Sequence, residues 1–324
     1  MIKNNEMIAG SNLEKVLRAG HFAVTGELGP PTNADKSIID EKAEHLRGVV
    51  DAVNITDNQT AVVRMSSIAV AAMLIEKGLE PVVQMTARDR NRIAIQSDLL
   101  GAWALGAKNL LCLTGDHQIF GNHPEAKGVF DMDSIQMLAM MRDMHEKGII
   151  QSGDDIDVPP TFFLGAAANP FAPPYEYRPY RLAKKIQAGA KFIQTQCIYN
   201  MPRFKEYMQR AGDMGLLDNV YVMGGVTPLK NVGMAKYMAK SVPGLDVPEE
   251  YIDRMRGATS GIPKENKKAR RQALREEGIA ICVETIQQLQ EIPGMHGVHI
   301  MAIEWESAVP IIVEKAGLFP RPSV

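Results

Sequence analysis

The stretch Leu110-Leu111-Cys112-Leu113-Thr114-Gly115-Asp116, residues 110–116, joins four apolar residues to a turn that ends in an acid. A short apolar run without alternation, closed by a turn signal, reads as a strand covered on both faces, the situation of strands in parallel sheets. Asp116 then stands just past the strand's C-terminal end, where parallel α/β folds keep their functional groups. An ordinary turn, with the Asp side chain bonding its own backbone, is the competing reading.

Outward from this stretch the same unit repeats. Toward the N-terminus, Phe22 to Leu28 reads as a first strand, stopped by Pro30-Pro31, which cannot donate to a sheet ladder. Val49 to Ile55 and Pro81 to Thr86 are further strands, with helical periodicity over 35–48, 61–77 and 90–105 between them. Two of these helices stop at Gly78 and Gly106, the usual helix-ending residue. Toward the C-terminus come a helix over 133–147, a strand from Pro160 to Ala168 and a helix ending at Gly189. A strand from Lys191 to Gln196, a helix over 202–215, a strand from Val220 to Met223 and a helix over 228–240 follow. Residues 241–275 read as charged and irregular, running into a long helix to about 289; His296 to Ile303 is the eighth strand and 307–317 the last helix.

Strands alternating with helices in this way specify parallel βαβ units. Eight of them predict an α/β chain folded as a single (β/α)8 TIM barrel over 1–324, with barrel strands from about 22 to 303. A short amphipathic helical segment around 13–17 precedes the barrel, and an insertion with extra helix, about 241–290, precedes strand eight. Neither the Gly-x-Gly-x-x-Gly dinucleotide fingerprint nor the P-loop motif follows any strand.

Composition narrows the partners. The 324 residues are 45% hydrophobic and 23% charged, ordinary for a globular chain with ample core material. A formal net charge of −2 provides no basic field for a nucleic-acid backbone. The basic run Lys264, Lys267, Lys268, Arg270, Arg271 reads as a solvated helix face. No apolar run is long enough to span a membrane, and Met1 to Glu6 lack the pattern of a secretion signal. Cys112, Cys197 and Cys282 are far apart, so neither a disulfide framework nor a metal cluster follows, and a reducing cytoplasm is expected. Of the 19 Met residues, Met137, Met140, Met141 and Met144 fall at helical core spacing and read as core filler. The expected partner is a small molecule or another protein.

At the predicted barrel mouth the strand ends deliver Glu27, Thr56, Thr86, Thr114, Asp116, Asn169, Gln196 and Glu304. A carboxyl group among apolar neighbours keeps its proton to higher pH, whereas one at a glycine turn stays ionised, and such pairs divide acid and electrostatic roles. Glu27 and Asp116 form such a pair, with the amide of Gln196 beside them. The residue types suit protonation of a substrate and stabilisation of a cation. His117 and His123 share a loop but lack a third ligand, and His296 and His299 lie on opposite faces of a strand, so no metal is expected. No Ser or Cys occupies a nucleophile elbow.

These residues carry a resemblance. Glu27-Leu28-Gly29-Pro30-Pro31, Met85-Thr86, Leu113-Thr114-Gly115-Asp116 and Lys185-Ile186-Gln187-Ala188-Gly189-Ala190 leading to Thr195-Gln196 stand in the order found in the methylenetetrahydrofolate reductase family. The resemblance covers most of the chain to about residue 230. It implies a flavin-dependent TIM barrel that reduces methylenetetrahydrofolate to methyltetrahydrofolate. Glu27 would be the general acid, protonating N10 or N5 to open the methylene bridge to an iminium ion, which takes hydride from reduced flavin N5. Asp116 would favour that cation and tune hydride donation, and Gln196 would touch the substrate. Thr56, Gln84, Thr114, Gly115, Ala167, Asn169, Arg181 and Lys185 would hold the flavin.

The chain departs from the family pattern. Thr114 stands where many members have Arg, Gln84 where they have His and Asn169 where they have Tyr, so FMN is an alternative to the favoured FAD. Met234 and Trp305 fall at the substrate-binding glutamine and arginine after strands seven and eight, although Trp305 also reads as a buried residue at a helix start. The variant is similar to reductases of one-carbon-metabolising anaerobes, implying a second subunit, an electron-carrier protein or NAD(P)H as electron source; a homo-oligomer is a further option. A pterin-dependent methyltransferase barrel without flavin and a non-catalytic barrel subunit are the competing classes.

Overall fold

A computed structural model describes residues 6–324. The N-terminal signal reading rests on Met1 to Glu6, of which residues 1–5 lie outside the described residues. The chain begins with α1 (Asn12–Arg18), then runs β1 (Ala23–Leu28), α2 (Lys36–Leu46), β2 (Ala52–Ile55), α3 (Ser67–Glu76), β3 (Pro81–Thr86), α4 (Arg92–Ala104) and β4 (Asn109–Leu113). It continues with α5 (Ser134–Lys147), β5 (Phe163–Ala168), α6 (Arg178–Gln187), β6 (Phe192–Cys197), α7 (Met201–Asp213) and β7 (Tyr221–Val226). Three helices follow, α8 (Val232–Ser241), α9 (Glu249–Gly257) and α10 (Lys267–Gln290), before β8 (Met295–Ile300) and α11 (Val309–Lys315). The eight strands pair in sequence order and close into a parallel barrel, the expected (β/α)8 fold.

Each strand turns alternate residues to the two faces. The outward set, including Val53, Val83, Leu110 and Ile193, packs with the helices in the main buried cluster. At the base the inward set is Ala23, Ala52, Val82, Leu111, Phe163, Phe192, Tyr221 and Met223, which cluster with Leu13, Val16 and Leu17 of α1. α1 therefore stoppers the end opposite the functional mouth. Its seating is polar as well: Leu13 N–H donates to Glu80 Oε1 at 2.9 Å and Asn12 Nδ2 to the Asp51 carbonyl at 2.9 Å, both acceptors lying just before a strand. Phe163 and Phe192 stack with centroids 5.1 Å apart. Gly165 makes room for this pair, since a Cβ there would sit 2.2 Å from the Phe192 ring.

Several boundaries differ from those read in the sequence. β2 starts at Ala52, β5 at Phe163 and α3 at Ser67, the residues before them lying in turns, a short 3-10 helix or irregular backbone. The stretch 241–275 is more ordered than expected: α9 lies inside it and α10 already begins at Lys267. α9 buries Ile252 and Met255 in a cluster with Leu229, Met238 and Ile281, within a run that is otherwise mostly charged. Lys264, Lys267, Lys268 and Arg271 are exposed, whereas Arg270 is half-buried and donates to the carbonyls of Thr259 and Ile262. Met137, Met140, Met141 and Met144 are buried in the core. Among the described residues no helix is long and apolar enough to cross a membrane.

The glycine at 165 supplies a stability test. Gly165→Ala should cost about 1–3 kcal/mol through overpacking against Phe192, read as a lower urea midpoint at unchanged slope, and Phe192→Leu should recover part of it. An unchanged midpoint would mean that the aromatic stack has slack.

Candidate active site

Above the apolar base the barrel interior turns polar. Thr25, Asn54, Gln194 and His299 are buried and bonded in one chain. Asn54 Nδ2 donates to Gln194 Oε1 at 2.6 Å, and Gln194 Nε2 returns a bond to Asn54 Oδ1 at 3.0 Å and gives a second to Thr25 Oγ1 at 3.1 Å. Thr25 Oγ1 lies 2.9 Å from His299 Nδ1, and His299 Nε2 lies 3.7 Å from Glu27 Oε2. Glu27 is only 6% exposed and opens upward into a cavity of about 370 Å³.

That cavity has an apolar floor of Leu111, Leu113 and Met301, amides from Gln84, Asn169, Gln194 and Gln196, and a cationic wall of Arg178, Arg181 and Lys185 from α6. Lys185 is 9% exposed and donates through Nζ to the Ala167 carbonyl. Burial, with the nearby Arg181 charge, brings its pKa down to about 8. A cation held this way gains strongly from an anionic ligand. Burial has the opposite sign for the thiols: Cys197 is pushed up to about 12 and Cys112 well above its usual range, so neither is a nucleophile at neutral pH.

The rim is braced by ion pairs. Asp57, just after β2, accepts from Thr86 N–H and Thr86 Oγ1 at 2.9 Å each and from Arg90 at 2.7 Å, tying the second and third strand ends together. Arg88, only 2% exposed, is paired with Asp89 at 2.7 Å and donates to the carbonyl oxygens of Asn58 at 3.1 Å and Asp116 at 3.2 Å. Gly115 adopts φ +94°, and a Cβ there would lie 2.9 Å from the Arg88 Cβ, so this turn needs glycine to pass the buried arginine. The Asp116 side chain is left exposed at the rim.

Of the residues singled out in the sequence, Glu27, Gln84, Ala167, Asn169, Arg181, Lys185 and Gln196 line one cavity. Thr56, Thr114, Gly115 and Asp116 stand on the adjoining strand ends without lining it. The Thr56 hydroxyl is buried with no hydrogen-bond partner among the described residues. Met234 and Trp305 do not line the cavity either. Met234 Sδ accepts from the Lys230 N–H at 3.5 Å. Trp305 packs against the main core under the Arg275 guanidinium and borders a separate groove with Glu304, whose carboxylate is 3.9 Å from Arg64. His117 caps a short turn, and among the described residues no group of three or more His, Cys, Asp and Glu could hold a metal ion. Sequence reading gave no role to Thr25, Asn54, Gln194, His299 or Arg88. The first four are inward-facing strand residues, Asn54 opposite Glu27 and His299 opposite Thr25, and Arg88 lies two residues past a strand end; those placements were the available signal.

A family model described as methylenetetrahydrofolate reductase matches residues 12–317. The chain belongs to the methylenetetrahydrofolate reductase family. Among curated relatives, "Methylenetetrahydrofolate reductase 2" of Schizosaccharomyces pombe is 25% identical over 270 residues, 79% of this chain and 38% of that protein. "Probable methylenetetrahydrofolate reductase (NADPH)" of Caenorhabditis elegans is 24% identical over 266 residues, 81% of this chain and 36% of that protein. The chain thus spans little more than a third of these relatives. A solved structure described as an uncharacterized protein from Clostridium thermocellum that binds two copies of 5-methyl-5,6,7,8-tetrahydrofolic acid shares the fold. Its TM-score is 0.64 at 14% identity, over 95% of this chain and 99% of that one.

Lys185 makes the reductase-family cavity pH-sensitive. A lysine held near pKa 8 when folded and near its usual value when unfolded leaves the unfolded state with more bound protons between those limits. Stability should therefore rise with pH from about 8 toward the ordinary lysine range, by up to about 1.4 kcal/mol per unit of depression. Lys185→Met should remove that increment in urea denaturation at pH 7 and 10. Equal pH slopes in both proteins would show Lys185 to be solvated.

Proposed function

We propose that the protein reduces 5,10-methylenetetrahydrofolate to 5-methyltetrahydrofolate at this cavity, with a bound flavin. The observation that carries the reading is Glu27, a buried carboxyl opening into a cavity that also holds amides and a cationic wall, in a chain of the reductase family. The family supports folate one-carbon chemistry and favours this reading over a methyltransferase barrel.

The residues present fit a flavin. Buried Lys185, with Arg181 beside it, suits a phosphate, and the orphaned Thr56 hydroxyl and the Gln84 and Asn169 amides suit ring and ribityl polar atoms. Thr114, Gly115 and Ala167 complete the proposed contacts, with FAD preferred and FMN the alternative. When bound and reduced, by NAD(P)H or a carrier protein, the flavin supplies the hydride.

The chain supplies proton and charge. Glu27 gives its proton to N10 of the folate, the N10–methylene bond breaks with its electron pair going to N10, and the N5 lone pair leaves an iminium at N5. Asp116 provides negative charge at the rim toward that cation, with its turn fixed from below by Arg88. Gln196 holds the pterin edge. The free, buried cysteines 112, 197 and 282 support a reducing, cytoplasmic setting.

Glu27→Gln tests the proposal. Photoreduced, flavin-loaded protein mixed anaerobically with methylenetetrahydrofolate should reoxidise about 10²–10⁴-fold more slowly in the variant, at unchanged flavin absorbance. Equal rates would remove Glu27 from the chemistry.

A further inference from the structure

His299 is buried, titratable and adjacent to the acid, yet it has no part in the chemistry just described. The closing strand pair sets its place: Thr25 and His299 are direct register partners of β1 and β8, and Glu27 is two residues further along β1 on the same face.

The hydrogen bonds around the ring favour one tautomer. In the observed arrangement the Gln194 amide pairs reciprocally with Asn54 and turns Nε2 toward Thr25. Thr25 Oγ1 therefore accepts from Gln194, and its single hydrogen goes to His299 Nδ1, 2.9 Å away. A ring that accepts at Nδ1 is neutral and carries its proton on Nε2, the nitrogen 3.7 Å from Glu27 Oε2. An imidazolium would need Thr25 to accept twice and leave its hydroxyl hydrogen unplaced.

The neighbours leave Glu27 as the charge partner at hand. In register, β7 presents Gly225 to His299; β6 contributes Gln194 and Gln196, with the buried Cys197 thiol next in sequence; and Arg178, Arg181 and Lys185 line the shared cavity from α6. An imidazolium beside Glu27 would hold it as a carboxylate, with no proton to give. A neutral Nε2–H, closing the 3.7 Å gap by a small side-chain rotation, can donate only to one carboxyl oxygen. The acid proton is then left on the other oxygen.

We propose that His299 is the positioning residue of the general acid, held as the neutral Nε2–H tautomer by the Asn54–Gln194–Thr25 chain so that it occupies one Glu27 carboxyl oxygen and leaves the acid proton on the other, toward the substrate. This rests on the reading of Glu27 as the acid.

Two measurements test it. In protein labelled with ¹⁵N-histidine, without flavin, His299 (assigned by its loss in His299→Gln) should show the Nε2–H tautomer from pH 6 to 8 and shift in Glu27→Gln. An imidazolium or an Nδ1–H tautomer at pH 7 would overturn the proposal. In the flavin-loaded protein, Thr25→Val should slow reoxidation by methylenetetrahydrofolate at pH 8 by at least about tenfold, part of a general acid's contribution, with a smaller loss at pH 6. Reoxidation by menadione, which needs no acid, should change less than twofold, and Thr25→Ser, which keeps the hydroxyl, should restore the folate rate. A Thr25→Val protein as fast as the unaltered one at both pH values would overturn the relay. No folate reoxidation in the unaltered protein would instead defeat the reductase reading. Should Thr25→Val not fold, the tautomer measurement decides alone.

Discussion

The pairing of β1 with β8 is the contact on which the rest of the structure depends. It closes the sheet, and its register sets Thr25 against His299 and brings Glu27 to the mouth beside them. A shift of one residue would turn these side chains outward into the helical layer and bring Val24 and Leu28 inside. Closure and chemistry are therefore fixed by the same ladder.

Around that ladder the interior is divided by height. The base is an aromatic and aliphatic plug sealed by α1, the middle is a satisfied polar chain, and the top is a cavity with one buried carboxyl and one cationic wall. Burying Asn54, Gln194, Thr25 and His299 is tolerable because each finds a partner; a single apolar replacement would leave the next group unpaired at a cost of about 1–3 kcal/mol. The ion pairs of Asp57 with Arg90 and Arg88 with Asp89 extend this rigidity to the rim loops.

The eight strands were legible because strands buried on both faces are nearly continuous apolar runs, as in Leu110 to Leu113. Glu27, Gln196 and Lys185 were legible as polar residues at strand ends or in family motifs, and they meet in one cavity. The polar chain was not, because Thr25, Asn54 and Gln194 interrupt strands singly, and nothing local says whether such a residue faces a partner or a helix. Met234, on α8, and Trp305, after the irregular backbone at Ile303 and Glu304 with φ +33° and +54°, do not line that cavity. α9 was not legible because its 9 residues are mostly charged and sit within a longer charged run.

The absorbance of the purified protein between 300 and 550 nm, before and after anaerobic addition of methyltetrahydrofolate, addresses the central claim most directly. A flavin spectrum, native or reconstituted with FAD or FMN, that bleaches on addition of the methylated folate is the predicted result. A protein that takes up neither flavin, or a bound flavin that methyltetrahydrofolate leaves oxidised, would contradict the account.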